Sequence, residues 1–209
     1  MNNDLISIEQ MIMIGSTGRN SGKTTLASAL INKFKSDIKV IALKITTIEN
    51  KNGKCQRGGE GCGVCTNLKE NFELIEELDC NRNKDTALLL SAGADKVYWL
   101  KCLKGHLEEG INYFMSKVPS ETLIICESNS LRNVVVPGYF VMIKNTKSKY
   151  VKESASKVID RADFIIENDF NRKFDIFVSN VEVEEDERKI KIKYVDYERR
   201  KYFVVNERG

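Results

Sequence analysis

The chain reads as a three-layer α/β protein with a mostly parallel sheet, on three observations. A short apolar run, Met11 to Ile14, enters a glycine-rich turn and then an apolar-periodic helix. Strand-like and helix-like segments alternate from there on, the order that builds parallel sheets. A wholly apolar run, Thr122 to Cys126, ends on Glu127, as a buried central strand with an acid at its carboxyl edge would.

The first of these is the most specific. Met11-Ile-Met-Ile-Gly-Ser-Thr-Gly-Arg-Asn-Ser-Gly-Lys-Thr-Thr-Leu has the order strand, phosphate loop, helix. Glycines at 15, 18 and 22 are expected to let backbone N–H groups converge on phosphate oxygens, and the helix opening near Gly22 adds its positive dipole end. The nucleotide-binding candidates are therefore Gly18, Arg19, Asn20, Ser21, Gly22, Lys23, Thr24 and Thr25. Lys23 would sit on the β and γ phosphates, and the Thr24 hydroxyl would ligate Mg²⁺. The strict pattern has a glycine where this chain has Thr17, with Gly18 one place later.

The other elements follow in order. Ile38 to Leu43 reads as a second strand with Lys44 at its carboxyl end, either beside the phosphates or simply exposed. Leu68 to Leu78 has the helical spacing Leu68, Phe72, Ile75, Leu78. Lys84-Asp85-Thr86 opens a helix reaching Ala94; Asp85 either caps it or is a carboxylate brought back to the phosphate loop. Lys96 to Leu100 is a third strand and Leu103 to Val118 a helix. Thr122 to Cys126 is the central strand, and its terminal Glu127 has the placement of an acid near Mg²⁺ or the attacking group. Ser128 to Pro137 is a candidate substrate loop, Gly138 to Ile143 a fifth strand, Lys149 to Arg161 an amphipathic helix, and Ala162 to Glu167 a sixth strand. From Asn171 the pattern turns β-rich over Phe174 to Val183, Lys189 to Tyr197 and Lys201 to Val205. The expected organisation is a phosphate-loop domain over residues 1–170, with a cysteine-rich insertion at 46–66 and a β-rich appendage at 171–209.

The insertion carries Cys55, Cys62 and Cys65 in the spacing C-x6-C-x2-C. Three thiolates do not close a tetrahedral zinc site, so Cys80 is the fourth candidate, with Cys102 and Cys126 behind it; an open three-cysteine site would suit an iron–sulfur cluster or an exchangeable metal. The bland alternative is a redox-sensitive loop. A length of 209 residues allows one good core, and 33 basic against 30 acidic residues give a formal net charge of +3, with no basic stripe that would point to nucleic acid. No apolar run approaches the span of a bilayer and no leader pattern opens the chain, so a cytoplasmic protein without a membrane partner is expected, its six cysteines reduced.

Together these residues resemble the molybdopterin guanine dinucleotide biosynthesis protein B family, small P-loop proteins of the class that includes the signal-recognition proteins, MinD and dethiobiotin synthetase. Three features carry the likeness: G-R-N-S-G-K-T-T-L after a strand, K-D-T followed by A-G-A and a strand, and I-I-C-E as the carboxylate strand. It spans residues 10 to 168. The family's glycine after the strand-end glutamate is Ser128 here, and the basic residues expected after Lys44 are Ile45-Thr46-Thr47. The resemblance implies a Mg²⁺-dependent nucleoside triphosphatase, using GTP in the first place or ATP, acting as a homodimer in metal-cofactor assembly with a client protein. Lys23, Glu127, Lys44 and Asp85 would be catalytic, Mg²⁺ would lie on Thr24, Glu127 and Asp85, and Arg19 falls near a lysine that in this class reaches phosphate across the dimer. Two alternatives stay open. One is a phosphotransferase or ligase of the dethiobiotin synthetase type, and the other a nucleotide-gated metal- or redox-sensing adaptor.

Overall fold

Nine strands and five short helices are described in the computed structural model, which covers residues 5–49, 68–80, 84–169, 174–186 and 189–195. In chain order they are β1 (Ile6–Ser16), α1 (Lys23–Phe34), β2 (Lys39–Ile48), β3 (Phe72–Glu76), α2 (Asp85–Ser91), β4 (Lys96–Leu103), α3 (Leu107–Met115), β5 (Thr122–Glu127), β6 (Val135–Asn145), α4 (Glu153–Ser156), β7 (Phe164–Asn168), α5 (Asp175–Asn180), β8 (Val181–Asp186) and β9 (Lys189–Tyr194). Seven strands form one sheet in the order β3-β4-β2-β5-β1-β6-β7. All neighbours are parallel except β3, which runs antiparallel to β4 at the edge.

Two apolar layers sandwich the sheet. On one face Ile12, Ile14, Val40, Ala42, Leu123 and Ile125 pack under Leu26, Leu30 and Ile31 of α1 and Leu89 of α2. On the other, Met11, Met13, Leu43, Ile124, Cys126 and Phe140 pack under Ile111 and Phe114 of α3, with Leu131 and Ala155. Every residue of β5 is buried, as its uninterrupted apolar sequence requires of a strand covered on both faces. Gly138 is needed where β6 passes the irregularity in β1 between Ile8 and Ile12, because a Cβ there would run into the carbonyl of Glu9.

Several sequence expectations are corrected. The stretch read as a helix over Leu68 to Leu78 is strand β3, in which Phe72 and Leu74 turn to the core while Glu73 lies opposite Lys101 of β4. The expected strand over Phe174 to Val183 is helix α5 followed by β8, because Phe174, Phe177 and Val181 recur at helical spacing and all three are buried. The long helix expected over Lys149 to Arg161 is the single turn of α4 and a 3₁₀ turn at Ile159–Arg161. The helix expected from Leu103 begins as a 3₁₀ turn, Lys104–His106, before α3. The expected loop from Ser128 to Pro137 holds a 3₁₀ turn at Ser130–Asn133 and is already strand from Val135. The second strand continues past Leu43 to Ile48, so Lys44 lies within it.

The described part of the C-terminal segment packs on the sheet. Phe174, Phe177, Val181 and Ile190 join the α1 face of the core, and Tyr139, Phe164, Phe177 and Tyr194 form a ring cluster with centroids 4.8–6.1 Å apart. Lys33 ties the segment to α1, its ammonium donating to the carbonyls of Val178 at 2.7 Å, Ser179 at 3.1 Å and Val181 at 2.5 Å. The stretch Lys201 to Val205 lies outside the described residues, and of the cysteine-rich insertion expected at 46–66, residues 46–48 belong to β2 while 50–66 lie outside the described residues. Among the described residues no helix is long and apolar enough to cross a membrane.

Candidate functional site

A cleft of about 440 Å³ opens at the carboxyl edge of the sheet, where β1 hands over to α1. Open α/β sheets bind ligands at this edge, in the crevice beyond the strand ends. Asn20, Ser21, Gly22, Lys23, Thr24, Thr25, Asp85 and Glu127 line it, so the sequence-derived loop, the acid of β5 and the acid opening α2 meet in one place. Gly18 is buried within the loop and Arg19 is exposed, and neither lines the cleft.

The loop has the backbone strain expected of an anion cradle, in fewer places than the glycines suggested. Of the three loop glycines only Gly22 has a left-handed backbone, φ 92°, and Asn20 adds a second such residue at φ 50°. Gly15 is required by space instead: a Cβ there would lie 2.9 Å from Asn129 Oδ1 and 2.9 Å from Met142 Cε. Helix α1 starts directly after Gly22 with no side-chain cap and no acidic residue in its first turn. Its first N–H groups and dipole are thus left for an external anion.

Three contacts from outside hold the loop. The Asn129 side chain accepts the Ser16 N–H at 2.8 Å and donates to the Ser16 carbonyl at 2.9 Å. Thr17 Oγ1 accepts the Asn145 N–H at 3.0 Å, and Asn168 donates from Nδ2 to the Ser21 carbonyl at 3.0 Å. Lys23 donates to Ser16 Oγ at 3.0 Å, which in turn donates to the Gly18 carbonyl at 2.9 Å. Sequence reasoning did not single out Asn129. Its position two residues past a strand-end acid was the available signal.

Glu127 is the electrostatic centre of the cleft. It is 3 % exposed, and its Oε1 has no hydrogen-bond partner among the described residues. Burial holds its carboxyl above the ordinary range, against the pull of the Lys23 and Lys44 ammonium groups and a hydrogen bond from Thr24, while Asp85 pushes the same way as burial. Lys44 stands directly opposite Glu127 in the β2–β5 register and forms an ion pair with Asp85. Lys44 does not itself line the cleft; it stands within a strand, one strand spacing from the acid, about 4.8 Å, and borders the cleft through Asp85.

These groups fit Mg²⁺. An unsatisfied buried carboxylate oxygen, a threonine hydroxyl and a second carboxylate are all hard oxygen donors, and such a cation keeps waters for its remaining positions. The second metal expectation stands differently. Cys55, Cys62 and Cys65 lie outside the described residues, and Cys80 is an exposed free thiol whose backbone carbonyl accepts the Ser91 hydroxyl. Cys102 and Cys126 are buried core thiols on β4 and β5, their pKa values raised by burial, to about 11 for Cys102. Among the described residues no cluster of three or more His, Cys, Asp or Glu side chains is placed to hold a metal.

No protein-family model matches this chain, and no curated protein matches it.

Proposed function

We propose that the protein binds a nucleoside triphosphate, GTP or ATP, together with Mg²⁺, and hydrolyses it. One observation carries the reading: an uncapped helix N-terminus with its lysine, Lys23, faces a buried carboxylate, Glu127, whose Oε1 lacks a partner, in a cleft of about 440 Å³. That volume lies in the usual range for small-molecule sites. The residues divide into roles by their chemistry. The loop N–H groups and Lys23 bind the phosphates, with Lys23 leaving Ser16 Oγ to do so. Lys44 exchanges its Asp85 partner for the terminal phosphate, so the charge that develops there in phosphoryl transfer meets two ammonium groups.

Thr24, Glu127 and Asp85 would hold Mg²⁺, which when bound supplies charge neutralisation across the β and γ phosphates. Glu127, fixed at the end of an entirely buried strand, orients the attacking water with little reorganisation. A role in metal-cofactor assembly, through a homodimer and a client protein, rests on the residue likeness described above and forms the outer part of the proposal.

Calorimetric titration with GTP and with ATP, each with and without Mg²⁺, tests the core of it. Binding of one nucleotide that tightens with Mg²⁺, is lost in Lys23→Ala and turns over to diphosphate is the expected result. Equal, metal-independent indifference to both nucleotides would sink the reading.

A further inference from the structure

The cleft has two unlike ends. Glu127 on β5 and Lys44 on β2 lie on one side of β1, and Asn168 at the end of β7 lies on the other. Three strand spacings separate β5 from β7, about 14 Å. Beyond Asn168 stands Phe174, which among the described residues is the sole apolar side chain lining an otherwise polar cleft. Its ring packs on the loop itself: a Cβ added to Gly22 would lie 2.8 Å from Phe174 Cζ and 3.1 Å from Asn168 Nδ2. The rest of the ring is sunk in the α1 face of the core, leaving the residue 8 % exposed.

Resting on the triphosphate reading above, we infer that Phe174 is the nucleobase contact, and that the C-terminal segment thereby forms the base side of the site. A nucleotide is itself two-ended, with its charge on the phosphates and a planar apolar group at the other end. The charged end belongs with Lys23, Lys44 and the carboxylates, so the base is directed toward β7 and Phe174. A cleft serving phosphate alone has no use for an aromatic wall there. Because so little of the ring is exposed, the contact is edge-to-face and not a full stack, and such contacts are modest in size. The ring is already immobilised by core packing and by the Lys33 tie between α1 and α5, so little ordering opposes binding.

The experiment compares two probes, the nucleoside triphosphate and inorganic tripolyphosphate, which has the charge without the base. For Phe174→Leu, which keeps apolar bulk in the core, nucleotide affinity is expected to fall roughly 3- to 10-fold while tripolyphosphate affinity stays unchanged. Phe174→Tyr, which keeps the ring, is expected to retain the wild-type ratio of the two affinities. Thermal melts establish that both variants are folded. An unchanged ratio in Phe174→Leu, whether both affinities hold or both fall together, overturns the inference and leaves the phosphate site standing. Failure of the wild-type chain to bind either probe overturns the phosphate site and the inference with it.

Discussion

Asn129 grips Ser16 across 113 residues of sequence, its side-chain amide accepting the Ser16 N–H and donating to the Ser16 carbonyl like one more residue of a neighbouring strand. The grip falls where β1 has run out of ladder partners on its β5 side while Ser16 is still paired with Ile143 of β6, so the side-chain amide takes the place of the missing strand as the loop begins. Asn129 is itself nearly buried, and Ser154 takes a further bond from its Nδ2 at 3.2 Å. Since Ser16 Oγ also receives Lys23, the position of the phosphate-binding ammonium depends on a residue at the end of another strand.

Replacing Asn129 by Ala is therefore expected to cost stability and affinity together. Two hydrogen bonds to buried backbone groups are lost, at about 1 kcal/mol each or more where the groups stay dry. Chemical denaturation should show a loss of about 2 kcal/mol, and tripolyphosphate binding should weaken. Unaltered phosphate affinity in the folded variant would show that the loop holds its shape without the clamp.

The Lys44–Asp85 pair makes the opposite case, of large functional and small structural effect. Its side chains are 24 % and 50 % exposed, and ion pairs so open to water contribute about 0.2–1 kcal/mol. Lys44→Ala should accordingly leave the melting temperature nearly unmoved. If Lys44 exchanges Asp85 for the terminal phosphate, the same variant should lose affinity for the triphosphate by about tenfold, with the diphosphate little affected. A parallel loss for both nucleotides would place Lys44 elsewhere along the ligand.

What the sequence reveals and what it conceals follow from element length. Thr122 to Glu127 is legible because an all-apolar run ending in an acid admits one placement, and the loop from Gly15 to Thr25 because its residue types have few other uses together. Strand β3 is not legible: Phe72 and Ile75 fit a helix as well as Phe72 and Leu74 fit a strand, and in five residues the two periods cannot be told apart. The decision is made by β4, whose edge offers a ladder that the local sequence does not mention. Phe174 was hidden for a related reason. Read with a period of two it is one more strand residue, whereas at the N-cap of helix α5 its ring lies against Gly22, 152 positions earlier. Asn129 and Asn168 are polar residues near strand ends, a description that fits ordinary turns, and only the fold brings their amides to loop carbonyls.

The attachment of the C-terminal segment can be tested at Lys33. Its ammonium serves three carbonyls at the end of α5 and the start of β8, and hydrogen bonds from a charged donor contribute about 1.5–3 kcal/mol in total context. Lys33→Met keeps the aliphatic stem and removes the donor. Amide hydrogen exchange over residues 175–195 should accelerate while β1, β2 and β5 stay protected. Uniform acceleration across the sheet would instead mean that the segment opens only with the whole chain.

Glu127 carries the clearest pH dependence. Burial holds its folded pKa above the value of an unfolded glutamate, about 4.3, so between those two values the folded chain keeps a proton that the unfolded chain has released. The resulting stability is fully present below the unfolded pKa and is lost as pH rises through the folded one. At neutral pH the wild-type chain thus carries a buried charge that Lys23, Lys44 and Thr24 only partly compensate. Glu127→Gln removes that charge at nearly constant volume, and should melt higher than wild type at pH 8, with the difference closing toward pH 4. For a chain of this size each 1 kcal/mol regained reads as about 2–4 °C. The same substitution should abolish turnover and weaken the Mg²⁺ dependence of nucleotide binding, because the amide is a poorer ligand for a hard cation. Wild-type Mg²⁺ affinity should for its part fall on acidification, as protons compete for the carboxylate. If Glu127→Gln melted lower than wild type at pH 8, the two lysines and Thr24 would outweigh burial, and Glu127 would be a structural anchor of the cleft even without metal.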